Sequence, residues 1–171
     1  MVEYSERQEV FIKLLNEHSA LLHKVCNVYC EQLIDRQDLF QEIVVQLWKS
    51  YPNFRGDSKF STWLYRIALN TAISGFRKHR IPVISFDPGT FHEPVSMESD
   101  ADREEQVQKM YSAIKRLSDV EKGIIMMYLE EKSYEEMEEV FGISQNTLRV
   151  KINRIKEKLR KITIAGNYGA G

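Results

Sequence analysis

Residues Phe54 to Arg80 read FRGDSKFSTWLYRIALNTAISGFRKHR, and the organisation of the chain turns on this stretch. A Gly-centred loop with flanking aromatics leads into a helix-period pattern that carries one basic stripe. At about 100° per residue, Trp63, Arg66, Asn70, Arg77 and Arg80 fall within roughly a 100° arc. Leu64, Ile67, Ala68, Thr71, Ala72 and Gly75 lie on the other side. One face is built to pack and the other to bind. Helical arginines neutralise phosphates, a side-chain amide reads base edges, and exposed aromatics such as Phe60 or Trp63 stack on unpaired bases. That mixture predicts a surface for single-stranded or melting DNA. An amphipathic helix with a solvated Arg face and a buried Trp fits the same pattern, so the flanking sequence has to decide.

Upstream, residues 5–32 place Val10, Phe11, Leu14, Leu15, Leu21, Leu22, Val25, Val28 and Tyr29 at helical spacing, with a break near His18 and Ser19. Two helices are expected there. The next segment, DRQDLFQEIVVQLWKSYPNF, makes an apolar stripe of Leu39, Phe40, Ile43, Val44, Leu47 and Trp48, and Pro52 ends it. His23, Cys26 and Cys30 recur at i, i+3 and i+7 on a helix, a spacing open to a metal. Without an evident fourth ligand, two core cysteines are the better expectation, and no metal or cofactor is assigned.

Downstream, the helical pattern lapses from Ile81 to about Asp102, where Pro82, Pro88 and Pro94 sit with Gly89 and a run of acids. This reads as a linker. Residues 81–105 hold one base against seven acids, whereas 1–80 hold 11 against nine and 106–171 hold 12 against nine. The net charge of −1 thus hides an acidic middle between two mildly basic ends. The chain is cut accordingly into domains at 1–80 and 106–164, a linker at 81–105 and a disordered tail at 165–171.

In the second domain a helix from Glu104 to Arg116 is followed by three helix starts. Ser118 with Glu121 and Ser133 with Glu136 fit the capping box, and Ser144 precedes NTLRVKI. Residues 130–139 carry six acids and one Lys, and 144–161 carry seven bases and one Glu. An acidic helix, a turn at Gly142 and a basic helix match helix-turn-helix, with Val140, Ile143, Leu148, Ile152 and Ile155 as its core. Gln145, Asn146, Thr147, Arg149, Lys151, Asn153 and Arg154 then belong to the DNA-facing helix. Its first residues are expected at base edges and its later bases on phosphates. A solvated basic helix that finishes a bundle is the competing reading.

Both halves together resemble bacterial sigma factors of the extracytoplasmic-function group, over nearly the whole chain. The resemblance implies an all-α fold of two small helical domains, a region 2 bundle and a region 4 helix-turn-helix, joined by a flexible acidic linker. DLFQEIVVQLW is similar to the helix docked on the clamp helices of RNA polymerase, which implies core-polymerase binding by Asp38, Gln41, Glu42 and Trp48. FRGDSKFSTWLYRIALN is similar to the segment that opens the minus-ten element and captures flipped bases. It implies minus-ten roles for Arg55, Lys59, Phe60, Trp63, Arg66 and Asn70, to which the basic stripe adds Arg77 and Arg80. LSDVEKGIIMMYLEEKSYEEMEEVFGISQNTLRVKINRIKEKL is similar to the minus-thirty-five domain. The linker resembles the connector that threads the RNA exit path.

Partners implied are core RNA polymerase through its clamp helices and flap, promoter DNA, and an anti-sigma factor. Two positions depart from the family. Glu138 stands where Ala is usual, which predicts a tilted helix or a carboxylate turned to solvent, and Val150 replaces a small polar residue.

No paired catalytic carboxylates, nucleophile–base pair or phosphate loop occurs, and His18, His79 and His92 are isolated, so an enzyme is not expected. No apolar run approaches the roughly 18 residues of a membrane span, and MVEYSERQEV lacks a signal-peptide core. A cytoplasmic protein without membrane insertion is expected. The alternative function is a helix-turn-helix regulator whose first domain senses a signal.

Overall fold

His18 shows how local chemistry divides the first helices. Its backbone leaves helical geometry at φ −111°, ψ 11°, and its ring Nδ1 lies 2.8 Å from the Leu14 carbonyl oxygen. A carbonyl only accepts, so Nδ1 carries the proton and satisfies one of the acceptors exposed where a helix ends. The result is α1 (Val2–Glu17) followed directly by α2 (Ser19–Tyr29), with the break where the sequence predicts it. The computed structural model describes residues 2–74 and 101–168.

The turn after α2 is tied by Arg36, which donates from Nε to the Cys30 carbonyl at 3.0 Å and from a terminal nitrogen to the Glu31 carbonyl at 3.1 Å. It leads into α3 (Leu33–Ser50), then a 3₁₀ turn at Tyr51–Asn53 that contains Pro52, then α4 (Phe60–Ser74). Gly56, in the loop before α4, has φ +77°, a left-handed conformation that costs other residues about 1–2 kcal/mol. Space does not demand glycine there, because an added Cβ would meet nothing within 4 Å.

Leu22 and Val25 of α2, Leu39, Ile43 and Leu47 of α3, and Leu64, Tyr65, Ala68 and Leu69 of α4 are essentially solvent-free. Each of the larger ones contributes about 1.5–3 kcal/mol of transfer free energy. Cys26 and Cys30 are buried in this same core as free thiols, and burial pushes the Cys26 thiol well above its usual range, with nearby Cys30 adding to the effect.

The second unit is α5 (Ala101–Ile114), α6 (Asp119–Leu129), α7 (Tyr134–Phe141) and α8 (Gln145–Tyr168); the two compact units are Met1–Val95 and Ser96–Gly171. All regular structure among the described residues is helical. Residues 101–105, assigned to the linker from sequence, begin α5, and 165–168, assigned to the tail, continue α8. Residues 81–100 of the linker lie outside the described residues.

Both capping boxes form. Ser118 and Glu121 exchange bonds of 3.1 and 3.4 Å, and Ser133 and Glu136 exchange bonds of 2.8 and 3.1 Å. Ser144 Oγ accepts from the Thr147 amide at 3.3 Å. Such caps contribute about 0.5–2 kcal/mol each.

Gly142 ends α7 at φ +65°, its amide donating to the Glu138 carbonyl at 2.8 Å, which is the turn a left-handed residue makes possible. At the end of α6 the same conformation falls on Glu131, φ 56°. Leu148, Ile152 and Ile155 are buried as expected, together with Met127 and Met137, whereas Val140 and Ile143 are only half-buried at the rim.

Candidate nucleic-acid interfaces

Aromatic packing sets the shape of the first candidate surface. Tyr51, Phe54, Phe60 and Trp63 form one cluster, with ring centroids 5.0 Å apart for Phe54–Trp63, 5.4 Å for Phe60–Trp63 and 5.6 Å for Phe54–Phe60. Phe11 of α1 extends it, at 5.0 Å from both Tyr51 and Trp48. Rings at these separations pack edge-on or tilted and hold the Phe54–Lys59 loop against α3 and α4.

This corrects the expectation for Trp63. The 100° arc puts its Cα on the basic side, but the residue is only 8% exposed. The rings of Tyr51, Phe54 and Phe60 pack around the indole, so Trp63 anchors the start of the loop and is not the exposed stacking platform expected. Phe60 is half-buried, its ring 5.1 Å from that of His18.

Arg55, Lys59, Arg66 and Asn70 are exposed along the loop and α4. Arg77 and Arg80 lie outside the described residues. Asn70 and Thr71 of α4 share a shallow open cavity of about 320 Å³ with Glu42, Gln46 and Ser50 of α3. Gln46 donates to Glu42 Oε1 at 2.7 Å on its wall. Sequence assigned Glu42 and Asn70 to different partners, and the fold brings them to one groove.

On α3, Asp38 and Gln41 are half-exposed. Trp48, by contrast, is held by Tyr4, Phe11 and Tyr51. The sequence reading did not single out Leu33 and Ile34, which are 63% and 65% exposed at the start of α3. Helical geometry sets Ile34 on the side of Asp38 and Gln41, four and seven residues on. Two adjacent apolar residues ahead of the stripe were the available signal.

In the second unit α8 turns Asn146, Thr147, Arg149, Val150, Lys151, Asn153 and Arg154 outward, and Gln145 is half-exposed. Several of these are already held. Arg149 donates to Asn146 Oδ1 at 3.0 Å and stacks over the Tyr134 ring at 4.6 Å. Gln145 Nε2 donates to Glu138 Oε2 at 3.1 Å. Glu138 is itself exposed, so of the two outcomes expected for it the carboxylate has turned to solvent.

Farther along α8, Lys156 donates to the Tyr128 hydroxyl at 2.6 Å, and Lys158 pairs with Glu121. These two cations brace α8 on α6. Burial works against ionisation of Glu121, but hydrogen bonds from Lys158 and Ser118 outweigh it and hold the carboxyl below its usual range.

Residues 14–81 match the family model described as Sigma-70 region 2, and 108–159 match that described as Sigma-70, region 4. The chain is similar to the ECF RNA polymerase sigma-E factor of Haemophilus influenzae, 30% identical over 137 residues that span 73% of this chain and 72% of the relative. The chain belongs to the extracytoplasmic-function group of the sigma-70 family. It is therefore a transcription initiation factor.

SigW of Bacillus subtilis, an ECF sigma factor, is 25% identical over 166 residues, 90% of this chain and 89% of the relative. At the level of fold, this sigma factor resembles RpoE of Bartonella quintana, solved with the anti-sigma factor NepR, with a TM-score of 0.61 and 17% identity over 95% of this chain and 97% of that one. Family membership sets aside the sensor-regulator alternative. No helix among the described residues is long and apolar enough to cross a membrane.

Proposed function

We propose that each surface of this sigma factor serves one step of initiation. The α3 face bearing Ile34, Asp38, Gln41 and Glu42 docks on core polymerase, with Trp48 supporting it from within the aromatic cluster. The loop and α4 hold the opened minus-ten strand through Arg55, Lys59, Arg66 and Asn70. The outward side of α8 reads the minus-thirty-five element, with Gln145, Asn146, Thr147 and Arg149 toward base edges and Lys151, Asn153 and Arg154 toward groove and phosphates.

The observation that carries this reading is on α4. Arg66 and Asn70 are exposed beside the fully buried Tyr65, Ala68 and Leu69, so a rigid helix presents a cation and an amide one turn apart. A base extruded from the stack costs a few kcal/mol, which such contacts and stacking repay.

The sigma factor contributes recognition and leaves catalysis to core polymerase. It works in the cytoplasm, where its partner and its DNA are. An anti-sigma factor is a further proposed partner, supported by the complex in which the similar RpoE was solved. Run-off transcription by purified core polymerase on a promoter library tests the reading: initiation is expected only when the protein is added. Duplex binding without core binding or initiation would overturn it.

A further inference from the structure

Glu138 and Gln145 face each other across the helix-turn-helix corner. Glu138 lies on the last turn of α7, whose end is fixed by the Gly142 amide on the Glu138 carbonyl. Gln145 is the first residue of α8, where side chains of a recognition helix meet base edges. The bond between them, Nε2 to Oε2 at 3.1 Å, joins exposed or half-exposed groups, so it is not a contact of the core.

The chemistry of this pair is directional. A primary amide offers two donors and an acceptor oxygen, and left alone it can present either end to a base. An ionised carboxylate accepts only. The amide must therefore turn its nitrogen to Glu138, which sends its carbonyl oxygen to the other side of the amide carbon. In the major groove an acceptor pairs with the amino groups of adenine N6 or cytosine N4 and is repelled by the oxygens of guanine O6 and thymine O4.

We propose that Glu138 is a positioning residue for specificity: it fixes the Gln145 amide so that the sigma factor prefers an amino-bearing base, adenine or cytosine, at one position of the upstream element. This rests on the proposed reading of α8 as the upstream-element helix. Glu138 itself touches no base. Its negative charge lowers affinity for all DNA alike, a uniform factor that cancels when bases are compared at one position.

The test is initiation by core polymerase with the full-length protein on promoters randomised across the upstream element, read by sequencing the transcripts. Wild type, E138A, E138Q, Q145A and E138A/Q145A are compared, with thermal melting as a check on folding. Q145A is expected to flatten the preference at one position. E138A should weaken the same preference about fivefold, the low end of what a well-made base contact discriminates.

E138Q should weaken the preference as E138A does, because a carboxamide can turn either its oxygen or its nitrogen to Gln145 and no longer fixes the direction, and the double variant should match Q145A alone. A position flattened by Q145A and untouched by E138A overturns the proposal and leaves the α8 reading standing. Additive effects in the double variant overturn it too, since Glu138 would then contact DNA independently. If Q145A alters no position, the assignment of Gln145 to base readout fails and the proposal falls with it.

Discussion

The guanidinium carbon of Arg149 lies 4.6 Å from the centroid of the Tyr134 ring, so the first residue of α7 holds the fifth residue of α8 across the helix-turn-helix corner. The same guanidinium donates to Asn146 Oδ1 at 3.0 Å. An arginine held on two sides loses less freedom when it meets DNA, which is the advantage of preorganisation. Tyr134→Ala should weaken binding to the upstream element by about 2- to 5-fold, the range of an exposed cation–π contact of about 0.5–1 kcal/mol. Tyr134→Phe should bind as wild type, because the ring face remains. Equal losses in both variants would point to the hydroxyl instead of the ring.

Trp63 is expected to act on stability before it acts on DNA. Removing a buried aromatic costs about 3–5 kcal/mol, and this indole touches Tyr51, Phe54 and Phe60 at once. Trp63→Ala should lower the melting temperature of the first unit, and Trp63→Phe should restore most of it. An unchanged melting temperature with promoter opening lost would return Trp63 to the role of a stacking platform.

The contrast between Trp63 and Asn70 shows what was legible in the sequence. Periodicity fixes where a Cα sits on a helix, and it placed both residues on the same side correctly. It carries no information on rings that arrive from outside the helix, and those of Tyr51 and Phe54 pack on Trp63, which is buried, whereas Asn70 stays exposed. The caps at Ser118, Ser133 and Ser144 were readable because a cap is a local event over four residues, and so was the glycine turn at Gly142. The Glu138–Gln145 and Lys158–Glu121 contacts were not, since they join residues of different helices. The left-handed Glu131 escaped for the opposite reason: nothing in its side chain announces the conformation its neighbours impose.

Asn70 remains exposed on the third turn of α4, at the groove it shares with Glu42 and Gln46. Asn70→Ala should reduce promoter opening, followed by permanganate reactivity of unpaired thymines, with little change in binding to core polymerase. Each lost base contact is worth about 1–3 kcal/mol, so a loss of roughly 5-fold or more is expected. Opening at the wild-type level would remove Asn70 from the minus-ten surface.

Glu131 occupies a position better suited to glycine. With φ 56°, and with the Lys132 amide reaching back to the Met127 carbonyl at 3.0 Å, it closes α6 in the manner usually left to Gly. Left-handed backbone costs a non-glycine residue about 1–2 kcal/mol, partly offset because glycine loses more freedom on folding. Glu131→Gly should therefore raise the melting temperature of the second unit by a few degrees. A fall would mean that the side chain makes a contact worth more than the strain.

Acid should loosen the second unit through Glu121. Its carboxyl titrates below its ordinary value of 4.5, because hydrogen bonds from Lys158 and Ser118 outweigh the burial that raises it. A depressed carboxylate contributes stability that is fully present above the unfolded value and is lost as pH falls through the folded one. Between pH 7 and pH 5 the contribution should be constant, and it should decline below about 4.5. Glu121→Gln keeps the volume and removes the charge, so its melting temperature should fall less steeply than that of wild type across the acid range. Lys158→Ala should move the Glu121 titration upward, followed by NMR of the side-chain carboxyl carbon. A titration unmoved by Lys158→Ala would assign the depression to the Ser118 cap alone, and α8 would then be braced on α6 by Lys156 and apolar packing without this ion pair.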